Sequence, residues 1–304
     1  DLTNSYYAKP INFSGSTYKG WANFSGSTYQ SRADFTGSTY QGGADFTGST
    51  YQGGADFRNS TYQDEADFTG STYQDEADFR DSTYQAGADF TGSTYQWADF
   101  TGSTYQWADF SDSTYQGRVD FRDSTYQGWA DFTGSTYQSR ADFSDSTYQG
   151  WADFSDSAYE NETNFSGSIF YQETYFGEDG YSNSSSCFTN RAPQFYDKTN
   201  RKNTLFGSHN NDFTVDIDKG YSINLNSEGL PLGCKFLTSE QKEYLADKFQ
   251  EIDETKNKFL KVKDPKEKAE LSKKLRSLNE ELHKWREEVT TVKVEDVAAE
   301  DTGS

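Results

Sequence analysis

The chain has 304 residues, 49 acidic against 28 basic, a formal net charge of −21 and only 32% hydrophobic residues, although 17% are aromatic. Such acidity argues against direct binding of a nucleic-acid backbone or an anionic membrane surface, both polyanions, and no run approaches the ~20 apolar residues of a membrane-spanning helix. With so little aliphatic material, any core must be built largely from rings.

Residues 1–11, with Leu2, Tyr6, Tyr7, Pro10 and Ile11, read as a lead-in that caps the first coil of a repeat. The start at Asp1 and the lack of Met read as a processed or incomplete N terminus. From Asn12 to about Tyr171 one phrase recurs, A-D-F-T-G-S-T-Y-Q plus one or two variable residues. Its phenylalanines stand 11 apart from Phe13 to Phe90, 10 apart through Phe100 and Phe110, and 11 apart again to Phe165, which makes 15 units. An aromatic follows each Phe by five residues, Tyr18 through Tyr159 and then Phe170. So short a period, held so long, marks a solenoid whose units bury their apolar faces only against one another. Within a unit the alternation has period two and is strand-like: Ala, Phe, Ser and Tyr point inward, and Asp, Thr and Gln outward. Gly37 and the pair Gly42-Gly43 fall where corners are needed.

A second period lies on the first. Trp21, Trp107, Trp129 and Trp151 follow odd-numbered units, and Arg32, Arg118 and Arg140 follow even ones, with Trp97 the exception. Arg58, Arg80 and Arg122, each directly after Phe, occur only in odd units. Two units therefore make one coil of about 22 residues, giving a rod of about 7.5 coils and ~36 Å at ~4.8 Å per strand. A flat, two-sided solenoid with one unit per coil is the competing arrangement.

The segment Ala98-Asp99-Phe100-Thr101-Gly102, followed by Ser103-Thr104-Tyr105-Gln106-Trp107, resembles the pentapeptide-repeat proteins, whose unit reads A-(D/N)-(L/F)-x-x. The resemblance implies a mainly β fold, a right-handed quadrilateral β-helix. The eleventh residue of most units then requires a corner bulge in every second side. The resemblance also implies that each Asp or Asn of the A-D-F column hydrogen-bonds nearby backbone, and it points to cyanobacteria and plastids as a setting.

The repeat decays at Ser157-Ala158-Tyr159 and Ser168-Ile169-Phe170, so the rod is assigned to residues 1–175. A loop-rich cap comes next over 176–236, with a Gly/Ser/Asn-rich linker at 177–186. Phe213, Val215 and Ile217, then Tyr221, Ile223 and Leu225, predict a β-hairpin near 213–225 turning at Asp218-Lys219-Gly220. Thr238-x-x-Gln241 and Asp264-Pro265-x-Glu267 are helix starts. They open an antiparallel α-helical hairpin over 237–294, whose apolar positions are Leu245, Phe249, Ile252 and Phe259, then Leu271, Leu275, Leu278, Leu282, Trp285 and Val289. Docking of this hairpin on the rod and docking on another protein weigh equally. Residues 295–304 form an acidic, frayed tail.

Two cysteines, Cys187 and Cys234, lack metal spacing and read as thiols, without excluding a pair; two histidines, His209 and His283, give a triad or metal site almost nothing to use. The sequons at Asn12, Asn23, Asn59, Asn161, Asn164 and Asn183 argue little for secretion, since three arise wherever Asn replaces Asp in one column. No phosphate loop or nucleophile motif occurs. The expectation is no enzyme, no cofactor and no metal. It is instead a scaffold rod in a large assembly, with a photosynthetic antenna such as a phycobilisome as the form that the family's distribution implies. An acidic DNA mimic that binds a topoisomerase and an ice-binding solenoid are the alternatives. Partner contacts are expected at Trp21, Trp107, Trp129, Trp151, Arg58, Arg80 and Arg122, which are read as one side of the rod, and at Leu278, Leu282 and Trp285 of the helical arm. Even odds are given to a second role for the tryptophans, folding over the corners to cover the glycines.

Overall fold

Each unit makes two strands of about two residues, one at Ala-Asp and one at Thr-Tyr, because inward Ala, Phe, Ser and Tyr alternate with outward polar residues. In the computed structural model, which describes residues 2–178, 184–262 and 264–292, these strands pair in parallel with strands one coil away. Ala33 pairs with Ala55, Thr39 with Thr61, Ala44 with Ala66 and Thr50 with Thr72, always 22 residues on. The two ten-residue units shorten the step locally, as in Ala88 with Ala108. The protein is thus a four-faced β-solenoid of about eight turns. The two-sided alternative is excluded, because it would pair residues 11 apart.

Face one carries the Ala-Asp strands of odd units and face two their Thr-Tyr strands; face three carries the Ala-Asp strands of even units and face four their Thr-Tyr strands. Faces one and three are therefore opposite sides of the rod. Inside run four aromatic ladders. Tyr40 stacks on Tyr62 at 4.7 Å and Phe46 on Phe68 at 4.9 Å, nearly parallel, while neighbouring ladders meet edge to face, as Phe46 does Phe57. Each such contact adds about 0.5–1.5 kcal/mol beyond the area it buries. The inward serine ties coils together: Ser49 Oγ accepts from Ser27 N and donates to Phe24 O, both in the preceding coil, so turn backbone that would be orphaned is satisfied. The residue before it, Gly37 or Gly70 for example, sits at φ +65° or +64°, and only Gly, Asn and Asp fill this place along the rod.

Three expectations change. Residues 2–7 are not a lead-in but a repeat unit already in phase: Leu2 N donates to Asn23 O, Asn4 has φ 50°, and Tyr6-Tyr7 pairs with Thr28-Tyr29. Phase was legible in Leu2-Thr3-Asn4-Ser5-Tyr6-Tyr7, but Leu for Phe and Asn for Gly hid it. Nor does stacking stop at residue 175. Cys187-Phe188 continues face four, and Leu205-Phe206 and Lys235-Phe236 continue face two, which reaches ten strands. Finally, the hairpin near 213–225 does not form. Asp212 bridges Tyr175 in parallel, and Asp216 N and Tyr221 N donate to Ser186 O and Phe188 O, so the coil's need for a next layer outcompetes a local turn. The extra eleventh residue shows as a register shift where Tyr73–Glu76 meets the shorter unit after Tyr95; elsewhere like units stack without one. The expected linker at 177–186 lies partly, and the acidic tail wholly, outside the described residues.

Two helices complete the chain's described part, α1 (Ser239–Lys261) and α2 (Pro265–Thr290), in a hairpin. The capping box of Thr238 and Gln241 is formed, and Asp264 caps α2. No helix among the described residues is long and apolar enough to cross a membrane.

Candidate functional site

The helical arm lies on the rod. Leu245, Phe249, Ile252, Leu278 and Leu282 form one buried cluster with Ile169 and Leu205, which continue the outward Thr column of face two, and with Leu237, which follows the inward Phe236 of the last strand. Tyr171 meets Phe249 edge to face. Polar ties extend the contact: Lys256 donates to Gln106, Arg286 to Asp123 at 3.1 Å, and Lys202 to Asp145 at 2.6 Å and to Glu287. Arg286 is 1% exposed. Leu278 and Leu282, expected to meet a partner, are buried within the chain, and Trp285 is half-buried against Tyr244 at 4.6 Å. Asp123, His283 and Glu287 come close enough to share a cation, but the Arg286 guanidinium reaches all three and supplies positive charge there itself. Arg286 and Lys202 do not stand out in the sequence. The signals that could have found them were Ile169 and Leu205 in a Thr column and Asp123 and Asp145 in a Gly column, all on the side the arm covers.

The expected tryptophan and arginine surface separates into two. Arg58, Arg80 and Arg122 lie on face one, interleaved with its Asp ladder. Arg58 bonds Asp56 at 2.7 Å and reaches Asp78 at 3.1 Å; Arg80 bonds Asp78 at 2.6 Å; Arg122 bonds Asp120 at 2.7 Å. Arg32, Arg118 and Arg140 add to the same ladder, at Asp56, Asp120 and Asp142. Burial alone would raise Asp120, but the hydrogen bonds and charge of Arg122, with the charge of Arg118, hold it below its usual range. Asp56 is lowered the same way by Arg58 and Arg32. These arginines are spent on the chain's own carboxylates.

Trp107, Trp129 and Trp151 stand at the corner that leads into face three and stack at 5.0 and 5.6 Å. The Trp107 ring lies where a Cβ on Gly87 would have to go, and the Trp21 ring does the same at Gly43, so these two do cover glycines. Trp21 is nonetheless 67% exposed. The face-three carboxylates Asp45, Asp67, Asp89, Asp109 and Asp131 each use Oδ1 to hold their turn, as when Thr47 N and Oγ1 donate to Asp45 at 3.0 and 2.8 Å. Asn23 serves identically toward Ser25 N, which explains Asp/Asn exchange in this column. Among the described residues no ion pair reaches these five aspartates. Burial, with Asp109 and Asp153 adding to it and hydrogen bonds from Thr133 opposing, pushes Asp131 up to about 6.

The remaining polar groups are structural or idle. Hydroxyls from Tyr29 to Tyr159 are buried without a protein partner, and burial pushes their ionisation up. Cys187 and Cys234 are free thiols, Cys234 deeply buried.

A four-faced solenoid whose carboxylates hold turns or pair with arginines is defined by its surfaces. The family model Pentapeptide repeats (9 copies) matches residues 30–72. These residues are pentapeptide repeats, and the same columns continue through the rest of the rod. Among solved structures the chain is similar to HetL, a pentapeptide repeat protein involved in heterocyst differentiation regulation from the cyanobacterium Nostoc sp. strain PCC 7120. The identity is 9% and the TM-score 0.27, over 68% of this chain and 92% of that one. No curated protein matches the chain.

Proposed function

We propose that this protein is a non-enzymatic scaffold: a rigid rod that holds other proteins of a larger assembly at fixed spacing along chemically distinct faces. The observation that carries the reading is the contrast between opposite faces of one regular rod, an Arg–Asp ladder on face one and a Trp–Asp surface on face three. A spacer needs stiffness and addressable sides, and stacking in register supplies both. The helical arm, closed on face two, locks part of the rod and presents its charged outer side. Crosslinking mass spectrometry on a native extract tests the proposal. Recovery of crosslinks from the rod to other proteins is expected; recovery of free monomer without them sinks it.

A phycobilisome or other photosynthetic antenna is one form such an assembly could take. The DNA-mimic reading asks for acidity presented all round, whereas face one is neutralised by its own arginines; a supercoiling assay with gyrase decides it. The ice-binding reading now has one open Thr column, on face four, because the arm covers part of the face-two column. Thermal hysteresis measures it.

A further inference from the structure

We propose that face three is the docking surface for a linear cationic segment, a lysine- or arginine-rich stretch of a partner protein lying along the rod axis. The inference rests on the scaffold reading and names the chemistry of one partner. It begins from an internal comparison. Faces one and three are built from the same Ala-Asp-Phe strands, and each stacks its aspartates one per coil. On face one, Arg32, Arg58, Arg80, Arg118, Arg122 and Arg140 pair with the ladder from Asp56 to Asp142. On face three, among the described residues, nothing does so between Asp45 and Asp131, and in place of arginine the flanking corner carries Trp107 and Trp129.

Like charges stacked this closely raise one another's protonation unless a cation shares them. The Phe ladder beside them repeats at 4.8–5.1 Å, so the five carboxylates run roughly 20 Å along the rod. That length matches about six residues of extended chain. Their Oδ1 atoms are engaged with Thr or Ser of the turn, which fixes each carboxylate in place, and Oδ2 remains to meet a cation. Half-buried indole rings alongside add cation–π attraction for the guanidinium or ammonium groups that carboxylates alone would hold loosely. Helix α1 marks one border of the surface, where Lys256 donates to Gln106, one residue before Trp107. The side chain opposite in charge to this face is thus supplied within the chain on face one and from outside on face three.

The test uses the full chain and a fluorescein-labelled hexa-arginine peptide, with hexa-glutamate as the control, read by anisotropy and by Trp emission. Binding of hexa-arginine alone is expected, weakening as salt rises, with a change in indole fluorescence. The triple variant Asp67→Asn, Asp89→Asn, Asp109→Asn should weaken it about tenfold or more and leave the fold intact, since Asn23 already holds the same turn. The matched control, Asp75→Asn, Glu76→Gln, Asp81→Asn, removes as many exposed acids from the part of the rod that borders face one and should change affinity less than about twofold. Equal loss in both variants would mean attraction to net charge only and overturns the proposal, as does absence of binding. If binding fails while native crosslinks to the rod are recovered, the face assignment falls and the scaffold reading stands.

Discussion

Tyr73 shows how one column can be filled by a residue whose polar end is unused. Its ring stacks between Tyr51 and Tyr95 at 4.8 Å each, but its hydroxyl has no protein partner, and Phe takes the equivalent place at Phe170 and Phe188. Tyr73→Phe is therefore expected to leave stability unchanged or raise it by up to about 1 kcal/mol; a thermal melt that falls by several degrees would show the hydroxyl to be bonded. Asp131 and Asp120 give opposite responses to pH. Asp131 titrates near 6 in the folded chain, above its unfolded value, so its contribution is fully present below about pH 4 and is lost as pH rises through 6. Asp131→Asn should raise the melting temperature at pH 7.5, by about 1–2 kcal/mol of stability at most given its partial exposure, and make no difference at pH 4. Asp120 is held below its usual range, so what it contributes is present above about pH 4 and fades as pH falls further. Arg122→Ala removes two of its hydrogen bonds and a neighbour of Asp142. A cost of about 1–3 kcal/mol at pH 7 is expected in denaturant titrations, shrinking on acidification.

At the scale of elements, the helical arm is held most firmly where α1 leaves the rod and α2 returns to it. Leu282, 1% exposed, sits in that cluster. Leu282→Ala should cost the arm about 2–5 kcal/mol, and hydrogen exchange should then speed up across α2 while amides of face-one strands keep their protection. The heptad steps made both helices and their caps readable from the sequence. What they could not say was which surface would cover the seam, because Leu278 and Leu282 would look the same against a partner. The deciding residues, Ile169 and Leu205, stand out only when placed in one column with Thr125 and Thr147, and that needs the 22-residue coil. The hairpin near 213–225 failed for a related reason. Alternation of Phe213, Val215 and Ile217 specifies a strand but not its neighbour, and the open edge of the last coil was the nearer one.

For the whole molecule, the repeat told most of the fold: period, inward and outward residues, corners and two units per coil all follow from spacing and alternation. The proposed interaction surface was half legible. The alternation of Trp and Arg gave two kinds of side, yet reading them as one side was wrong, because consecutive odd and even Ala-Asp strands lie across the rod from each other. Arg58 and Arg80 looked free to meet a partner because the carboxylates they bind, Asp56 and Asp78, are 2 residues away in sequence and were read as facing solvent.

The pairing of units into coils has a genetic corollary. Such an array can grow or shrink by recombination only in even steps. Deleting residues 44–65, one complete coil, should give a shorter rod with every ladder continuous and the arm still docked. Deleting residues 44–54, a single unit, turns everything downstream by half a revolution relative to what precedes it, so that Arg32 is no longer in line with Asp56 and its successors. Circular dichroism and melting of the two deletions should differ accordingly, the even one near the parent and the odd one loosened at the junction. The 11-residue phrase is the unit of spelling, but inheritance of a working surface is reckoned in twenty-twos.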